Sequence, residues 1–511
     1  MKRGSTSPTI RGALAPLALL AAFGWIGAAA EPVETKVLAS DAAFGDRFGS
    51  GVAISGAYAL IGAQADDDLG GDAGAAYIFD LSSATEIRKI HASDGAGGDY
   101  FGVEVAAWGD RALIGALRDD HAATDAGSAY IFDLADGTEL HKLVASDAAV
   151  DDWFGCAVAL SDAYALVGAY KYNQSSTIYD SGAAYLFDAA TGAQIRKLTA
   201  SDAGKQDWYG YAVAVSDAYA VVGAPNWDGI GTTHTDCGAV YVYDPATGQE
   251  LWKLTTVDQG GYDRFGNALA IQGDLLLVGC YWDSNDGGGD AGAAYLFDLT
   301  TGEQLLEIFA AEPEGGGDWF GAAVALSDGY AVIGAPQQGY GTELEGFACV
   351  VDLATGEEVE RLAASDGYLD DNFGAAVAIQ GPVALVAADM NDDNGTNSGS
   401  SYFYEPVTPA TGAAEGVVPR SLVLQNRPNP FNPATEILLT LPFDSPVRLE
   451  VRDARGRHVR TLLPGDRVPA GDVRAVWDGT DERGAPVPSG VYFYQAEATN
   501  LRAAGKMILI K

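Results

Sequence analysis

The sequence predicts an all-β protein: a seven-bladed β-propeller, its last blade closed by an N-terminal strand, followed by a small β-sandwich. Three observations carry this. Asp-x-(Phe/Tyr)-Gly recurs seven times at intervals of 53 to 56 residues, with its aromatic at Phe48, Phe101, Phe154, Tyr209, Phe265, Phe320 and Phe373. After each comes an alternating run such as "AVALSDAYALVGA", a variable loop, and "GAAYLFD" or a close relative. Such period-two alternation, bounded by Gly, Asp and Ser, marks strands. From Pro406 the text changes to Pro, Thr, Ala and Gly, and then to a different β-rich segment.

Taken in order, residues 1–30 hold Lys2, Arg3 and Arg11, an apolar run, and "AAA-E" at Ala28–Glu31. A basic start, an apolar centre and small residues at the end predict a cleaved signal peptide. The alternative, an uncleaved anchor helix, must accommodate Pro16. No later stretch stays apolar for ~20 residues, so no transmembrane helix is expected in the mature protein. Residues 31–405 read as four strands per repeat, and a period of about 54 residues fits four-stranded propeller blades. The strand after each Phe-Gly is mostly Ala and Val, which suits the crowded axis. "TKVLAS" (35–40) is a fourth strand placed before the first Phe-Gly, and the seventh unit ends at "SSYFYEP" without one. The N-terminal strand should therefore pair with the last repeat and leave no open edge. Residues 406–418 are a linker, and 419–511 a β-sandwich.

Residues 31–418 carry 14 basic and 60 acidic groups, against 13 and 10 in 419–511. That imbalance excludes nucleic-acid binding through phosphates, while the Gly and apolar content excludes a disordered acidic tract. Cys156, Cys237, Cys280 and Cys349 fall in four successive repeats at no metal-binding spacing. Buried free thiols are expected, although an exported chain also permits disulfides.

Over 35–405 these repeats resemble the FG-GAP repeat family, the propeller of integrin α-chains and many bacterial surface proteins. The Pro of the "GAP" element stands only at Pro225 and Pro336. The integrin-like calcium loop is replaced by short turns such as "SGAY" and "SDAY", so calcium at that place is not carried over. "YDPATGQELWKL" (243–254) is faintly similar to quinoprotein dehydrogenase propellers. In the tail, Asn429-Pro430-Phe431-Asn432-Pro433, Trp477-Asp478-Gly479 and Ser489-Gly490-Val491-Tyr492 resemble the C-terminal sorting domain of type IX secretion substrates. That domain is related to the immunoglobulin-like domain of flagellar hook-capping proteins. The resemblance implies an address across an outer membrane through the secretion machinery. The alternative is a plain structural module.

Catalytic signatures are missing. His91, His121, His141, His234 and His458 form no HExxH, and no G-x-S-x-G occurs. "GGGDAG" (287–292) runs from loop into strand, where no helix N-terminus could hold a pyrophosphate. Asp46, Asp99, Asp152, Asp207, Asp263, Asp318 and Asp371 stand once per repeat, two before each aromatic. That regularity assigns them to the turn, accepting backbone N–H bonds. Function is expected in the loops after the second strands. There Tyr170, Tyr172, Tyr179, Trp227, His234, Tyr281 and Trp282 either bind a glycan or protein partner or pack their own loops. More than half of the carboxylates of 31–418 fall on that same face. Asp283, Asn285, Asp286 and Asp290, and Asp389, Asn391 and Asp393, are calcium candidates. The alternative is a diffuse solubilising surface. The expectation is a non-enzymatic binding or adhesion protein, secreted or on the outer cell surface, with no certain cofactor. A polysaccharide-acting or quinoprotein-like enzyme, or a structural envelope protein, stands as the alternative.

Overall fold

The computed structural model describes residues 32–229, 235–256, 261–284, 291–311, 317–336, 346–407, 423–427, 431–432, 434–441, 445–453, 457–468, 471–498 and 501–510. The expected signal peptide and the linker beyond Val407 lie outside the described residues, as do His234, Asn285, Asp286 and Asp290. Among the described residues there is no helix, and so none long and apolar enough to cross a membrane.

Seven four-stranded antiparallel sheets follow one another from Val33 to Glu405. The first is Phe48–Ser55, Tyr58–Ala63, Ala75–Asp80 and Thr85–Ile90, paired in chain order. Five more repeat this order. In the seventh, Phe373–Gln380, Val383–Ala388 and Ser400–Glu405 are completed by Val33–Val37. Val33 lies opposite Glu405 and Val37 opposite Ser401. The chain's first described strand thus covers what would be an open edge.

Burial explains the composition of each strand. Second and third strands such as "YALIGA" and "AAYIFD" are buried almost throughout, because neighbouring sheets cover both their faces. The outermost strand, "TEIRKI", is more exposed and alternates. The first strands lie against one another in a closed cycle, the seventh against the first. Cores form between sheets: Phe48, Ile61 and Tyr77 of the first cluster with Leu385, Ala387 and Phe403 of the seventh. Within its own sheet Phe48 meets Tyr77 and Phe79 edge-on, at 5.3 and 5.9 Å. Phe101, Phe154 and Phe265 make the same paired contacts, a geometry that adds about 1 kcal/mol to area burial.

Adjacent sheets also touch backbone to backbone. The motif aromatic donates its N–H to a carbonyl of the preceding sheet: Phe101 to Ala73 at 3.0 Å, Phe154 to Ala126 at 2.9 Å, and across the seam Phe48 to Ser398 at 3.0 Å. Such proximity excludes side chains. A Cβ on Gly115 would lie 2.0 Å from the carbonyl oxygen of Gly155 in the next sheet. At the rim, Ser93 donates through N and Oγ to Glu139 of the next outer strand at 2.9 and 3.1 Å. Ser365 does the same to Glu34 at 3.0 and 2.7 Å, closing the cycle.

The C-terminal unit pairs Val423–Arg427, Thr435–Leu441 and Gly471–Trp477 in one sheet. A second sheet holds His458–Val468, Ser445–Asp453, Gly490–Ala498 and Leu501–Leu509. Between them Phe431 packs on Trp477 at 5.5 Å and Trp477 on Tyr492 at 4.9 Å. The indole donates to the Thr480 carbonyl at 2.9 Å and the Tyr492 hydroxyl to that of Pro488 at 2.8 Å.

Because the inter-sheet approach admits no Cβ at Gly115, Gly115→Ala should cost on the order of 3 kcal/mol. Gly71→Ala, which meets open space, should be nearly neutral. Thermal or urea unfolding of the two variants checks this, and equal stabilities would contradict the close-contact account.

Candidate functional site

All seven repeat aspartates are buried. Asp46 accepts the N–H of Ala43 at 2.6 Å, Asp99 that of Ala96 at 2.7 Å, Asp152 that of Ala149 at 2.8 Å, Asp207 that of Gly204 at 2.6 Å and Asp371 that of Tyr368 at 2.9 Å. Asp263 and Asp318 hold the same sequence position. Burial pushes Asp46, Asp99, Asp152 and Asp207 up to about 6 against these bonds, helped by neighbouring carboxylates.

A second node ties each third strand to its fourth. In the first sheet the Lys89 ammonium sits among Asp41, Asp66 and Asp68 at 2.8, 2.6 and 2.7 Å. The Tyr77 hydroxyl donates to the same cluster. These three carboxylates are close enough to hold a metal ion, but the lysine occupies that place. Lys142 repeats the arrangement with Asp94 and Asp119. In the third and fourth sheets the position of Asp66 and Asp119 is taken by Tyr172 and Trp227. Lys197 Nζ lies 3.1 Å from the Tyr172 ring centre, and Lys253 Nζ 3.5 Å from that of Trp227. Cation–π attraction replaces an ion pair, so these two rings hold their own sheets' lysines. Trp227 is buried. Tyr179 is exposed, its hydroxyl 3.3 Å from Gln206 Oε1.

The calcium candidates are engaged similarly. Asp283 is buried and accepts from the Tyr295 hydroxyl at 2.6 Å. Asp389 accepts from Asn372 Nδ2 at 2.8 Å, Asn391 Nδ2 donates to Asp371 at 3.0 Å, and Asp393 pairs with Lys36. The last three make contacts with the protein itself.

The remaining candidates meet at one place. The residue before each motif aromatic has a positive φ: Arg47 54°, Tyr100 57°, Trp153 56°, Trp208 56°, Arg264 64°, Trp319 60° and Asn372 66°. For a non-glycine residue this conformation costs about 1 kcal/mol, and bulky residues there are outliers. Their side chains meet those that follow the second strands. The Arg118 guanidinium lies 5.0 Å from the ring centres of both Tyr100 and Trp153, and Lys171 Nζ 4.3 Å from that of Trp153. Tyr170 touches Trp153 and Trp208 at 5.6 and 5.5 Å. Tyr211 stacks on Trp208 at 5.9 Å and 15°. Arg264 lies between Trp208 and Trp282, at 5.4 and 5.1 Å. Tyr281 meets Trp282 and Trp319 at 5.5 and 5.7 Å. An unbroken arc of rings and cations therefore runs from the second sheet to the sixth, where the innermost strands begin. It takes in Tyr170, Tyr281 and Trp282. The reading of loops alone missed Trp153, Trp208, Tyr211 and Trp319, although the variable x of Asp-x-(Phe/Tyr)-Gly was the available signal for all but Tyr211, which follows the motif glycine.

Inside the arc stands Glu104, at a position where the other repeats have Gly51, Ala157, Ala212, Ala268, Ala323 and Ala376. Tyr211 of the fourth sheet interacts electrostatically with Cys156 of the third, Glu104 of the second and Tyr281 of the fifth, so four sheets converge here. Burial pushes the Glu104 carboxyl up to about 8, leaving it mostly protonated at neutral pH. The same cause pushes the Cys156 thiol up to about 12. None of the four cysteines forms a disulfide, and a raised thiol such as that of Cys156 is a poor nucleophile.

Raised carboxyls give stability a definite pH profile. Between the ordinary 3.8 and about 6 the folded chain holds more protons at Asp46, Asp99, Asp152 and Asp207 than the unfolded chain, so stability falls as pH rises through that window. Glu104 extends the fall to about 8. Asp41, Asp94, Asp147, Asp202 and Asp366 are held below 3.8 against desolvation by their lysine and tyrosine partners, and lose their contribution on acidification. The melting temperature should peak at about pH 4–5. Asp99→Asn should gain on the order of 2 kcal/mol over the parent at pH 7 and nothing at pH 4. A melting temperature that climbs steadily from pH 5 to 8 would contradict this.

Comparison with known families matches the FG-GAP repeat to residues 33–79, 84–132, 138–187, 193–243, 249–297 and 357–404, and the FlgD Ig-like domain to 432–501. No curated protein matches the chain. The matched repeats begin on an outer strand and end on the third strand of the next sheet, and the sixth sheet's central strands fall outside them. There Cys349 replaces the node tyrosine and Arg361 pairs with Glu358 at 3.0 Å. With more than half of its length matched, the chain belongs to the FG-GAP repeat family, as a β-propeller that carries an FlgD Ig-like domain.

Proposed function

We propose that this chain is an exported, non-enzymatic, seven-bladed propeller that binds a glycan at the aromatic arc and acts outside the cell or on its outer surface. The observation that carries the reading is the run of Tyr, Trp and Arg held at positive φ at the mouth. Glycine or asparagine would satisfy that backbone at lower cost, so the side chains themselves are what the position retains. Half-buried rings offer apolar faces to sugars, and cations among them fix orientation. The cycle of first strands and the Glu34–Ser365 clamp support seven blades in one ring. The reading calls for no cofactor. The basic start of the chain supports signal-peptide export, and the tail's wording supports a sorting role through the secretion machinery.

Glycan-array screening of the purified protein, followed by titration calorimetry, tests the site. Trp208→Ala and Tyr211→Ala should weaken binding at least about tenfold, the loss expected from removing a stacked ring, with melting temperatures kept. Tyr172→Ala, outside the arc, should bind like the parent. Turnover of any bound saccharide would overturn the non-enzymatic reading. In the native host, a chain ending at residue 418 should reach the periplasm and fail to reach the outer surface. Normal display of that truncated chain would remove the sorting role.

A further inference from the structure

Cations are scarce in a chain of formal net charge −40, yet three stand together in the arc. Carboxylates are abundant, so each would be expected to pair with one. Arg118 and Lys171 instead lie against ring faces and make no ion pair with any described residue. Arg264 has one, to Asp236 at 3.3 Å. Unmet donors concentrate here as well. Arg118 Nε, Arg264 Nε and Nη1, and the indole N–H groups of Trp153 and Trp282 find no acceptor among the described residues. Two cations held by rings rather than by carboxylates, beside donors that find no acceptor, are arranged for an acceptor that the described residues do not supply.

Resting on the glycan-binding reading above, we propose that the arc recognises a carboxylate-bearing sugar at the end of an otherwise neutral glycan. The rings take the apolar face of the sugar, and Arg118 and Lys171 take its carboxylate. Two further features narrow the class. Glu104, mostly protonated at neutral pH because of its burial, adds little charge against an anion in the arc. The surrounding acidic loops do repel extended polyanions, because their field reaches about 10 Å at 0.1 M salt. One terminal carboxylate can enter where a uniformly charged chain is turned away.

The test compares a neutral oligosaccharide ending in glucose with the same oligosaccharide ending in glucuronate, and with an oligoglucuronate of equal length, by calorimetry on the full chain. The glucuronate-ended ligand should bind at least tenfold tighter than the other two. Arg118→Gln and Lys171→Gln should each remove most of that advantage, weakening the glucuronate-ended ligand at least tenfold more than the neutral one, with the melting temperature kept. If the neutral ligand binds as well, and Trp208→Ala abolishes its binding, the charge inference falls and the glycan-binding reading stands. If the oligoglucuronate binds tightest, the selection for a single terminal charge falls. If none of the three binds at millimolar concentration while a broad array also stays blank, both readings fall together.

Discussion

The contact between one sheet's backbone and the next governs the rest of this molecule. The motif aromatic donates its N–H to the carbonyl just ahead of the previous sheet's third strand, and glycines remove the atoms that would keep the two apart. This fixes the spacing near the axis. It also fixes the position of the aromatic ring, which then packs edge-on against the third strand of its own sheet. Once spacing and ring are set, the outer strands need only a polar clamp, and Ser-to-Glu bonds provide it from sheet to sheet. Seven repeats can vary widely in their loops because these contacts use only the loop ends: Ala73 and Ser398 stand two residues before a third strand, and Ser93 and Ser365 three residues after a fourth.

The same constraint creates the mouth where the arc lies. To bring the N–H of the aromatic onto its neighbour, the preceding residue must turn through a left-handed conformation, and the aspartate before it must bridge back to the turn. Seven side chains are thereby presented at one end of the innermost strands. Their identity is free of the fold. In the first and seventh sheets they are Arg47 and Asn372, linked through Asp389. Across the second to sixth sheets they join the aromatic and cationic arc. The fold thus supplies the geometry, and the sequence at this single repeat position supplies the chemistry.

Much of this was legible in the sequence. Four strands per repeat and the N-terminal strand in the seventh sheet follow from spacing and from one displaced "TKVLAS" segment. Pairing between distant strands shows in sequence only when a unit is visibly missing at one end and surplus at the other, which is the case here. The site was half legible. Tyr170, Tyr281 and Trp282 lie in conspicuous loops, but Trp153 and Trp208 sit inside a motif whose repetition made it look wholly structural. Tyr172 and Trp227 mislead for a physical reason. They stand where other repeats carry the aspartates that hold a lysine, and a ring face can perform that task as well as a carboxylate. Aromatic residues in a loop therefore do not separate ligand stacking from lysine stacking until the neighbouring strand is placed.

The tail poses the converse problem. Its most distinctive words coincide with its core: Phe431, Trp477 and Tyr492 form one aromatic column, and the polar atoms of Trp477 and Tyr492 close the turns beside them. Residues that build a core are held by packing, and a shared core establishes a shared fold before it establishes a shared task. Trp477 and Tyr492 of this column lie within the segment that matches the Ig-like domain. A sorting role must rest on surface groups instead. The candidates are Val476, exposed on the strand that carries Arg474, and Phe493, exposed on a strand that pairs it with Arg452. An exposed apolar residue beside a cation is open to a partner in a way that the buried column is not. Replacing Phe493 with serine should leave the tail folded while reducing delivery to the cell surface. Unchanged delivery would shift the recognition surface to another part of this sandwich.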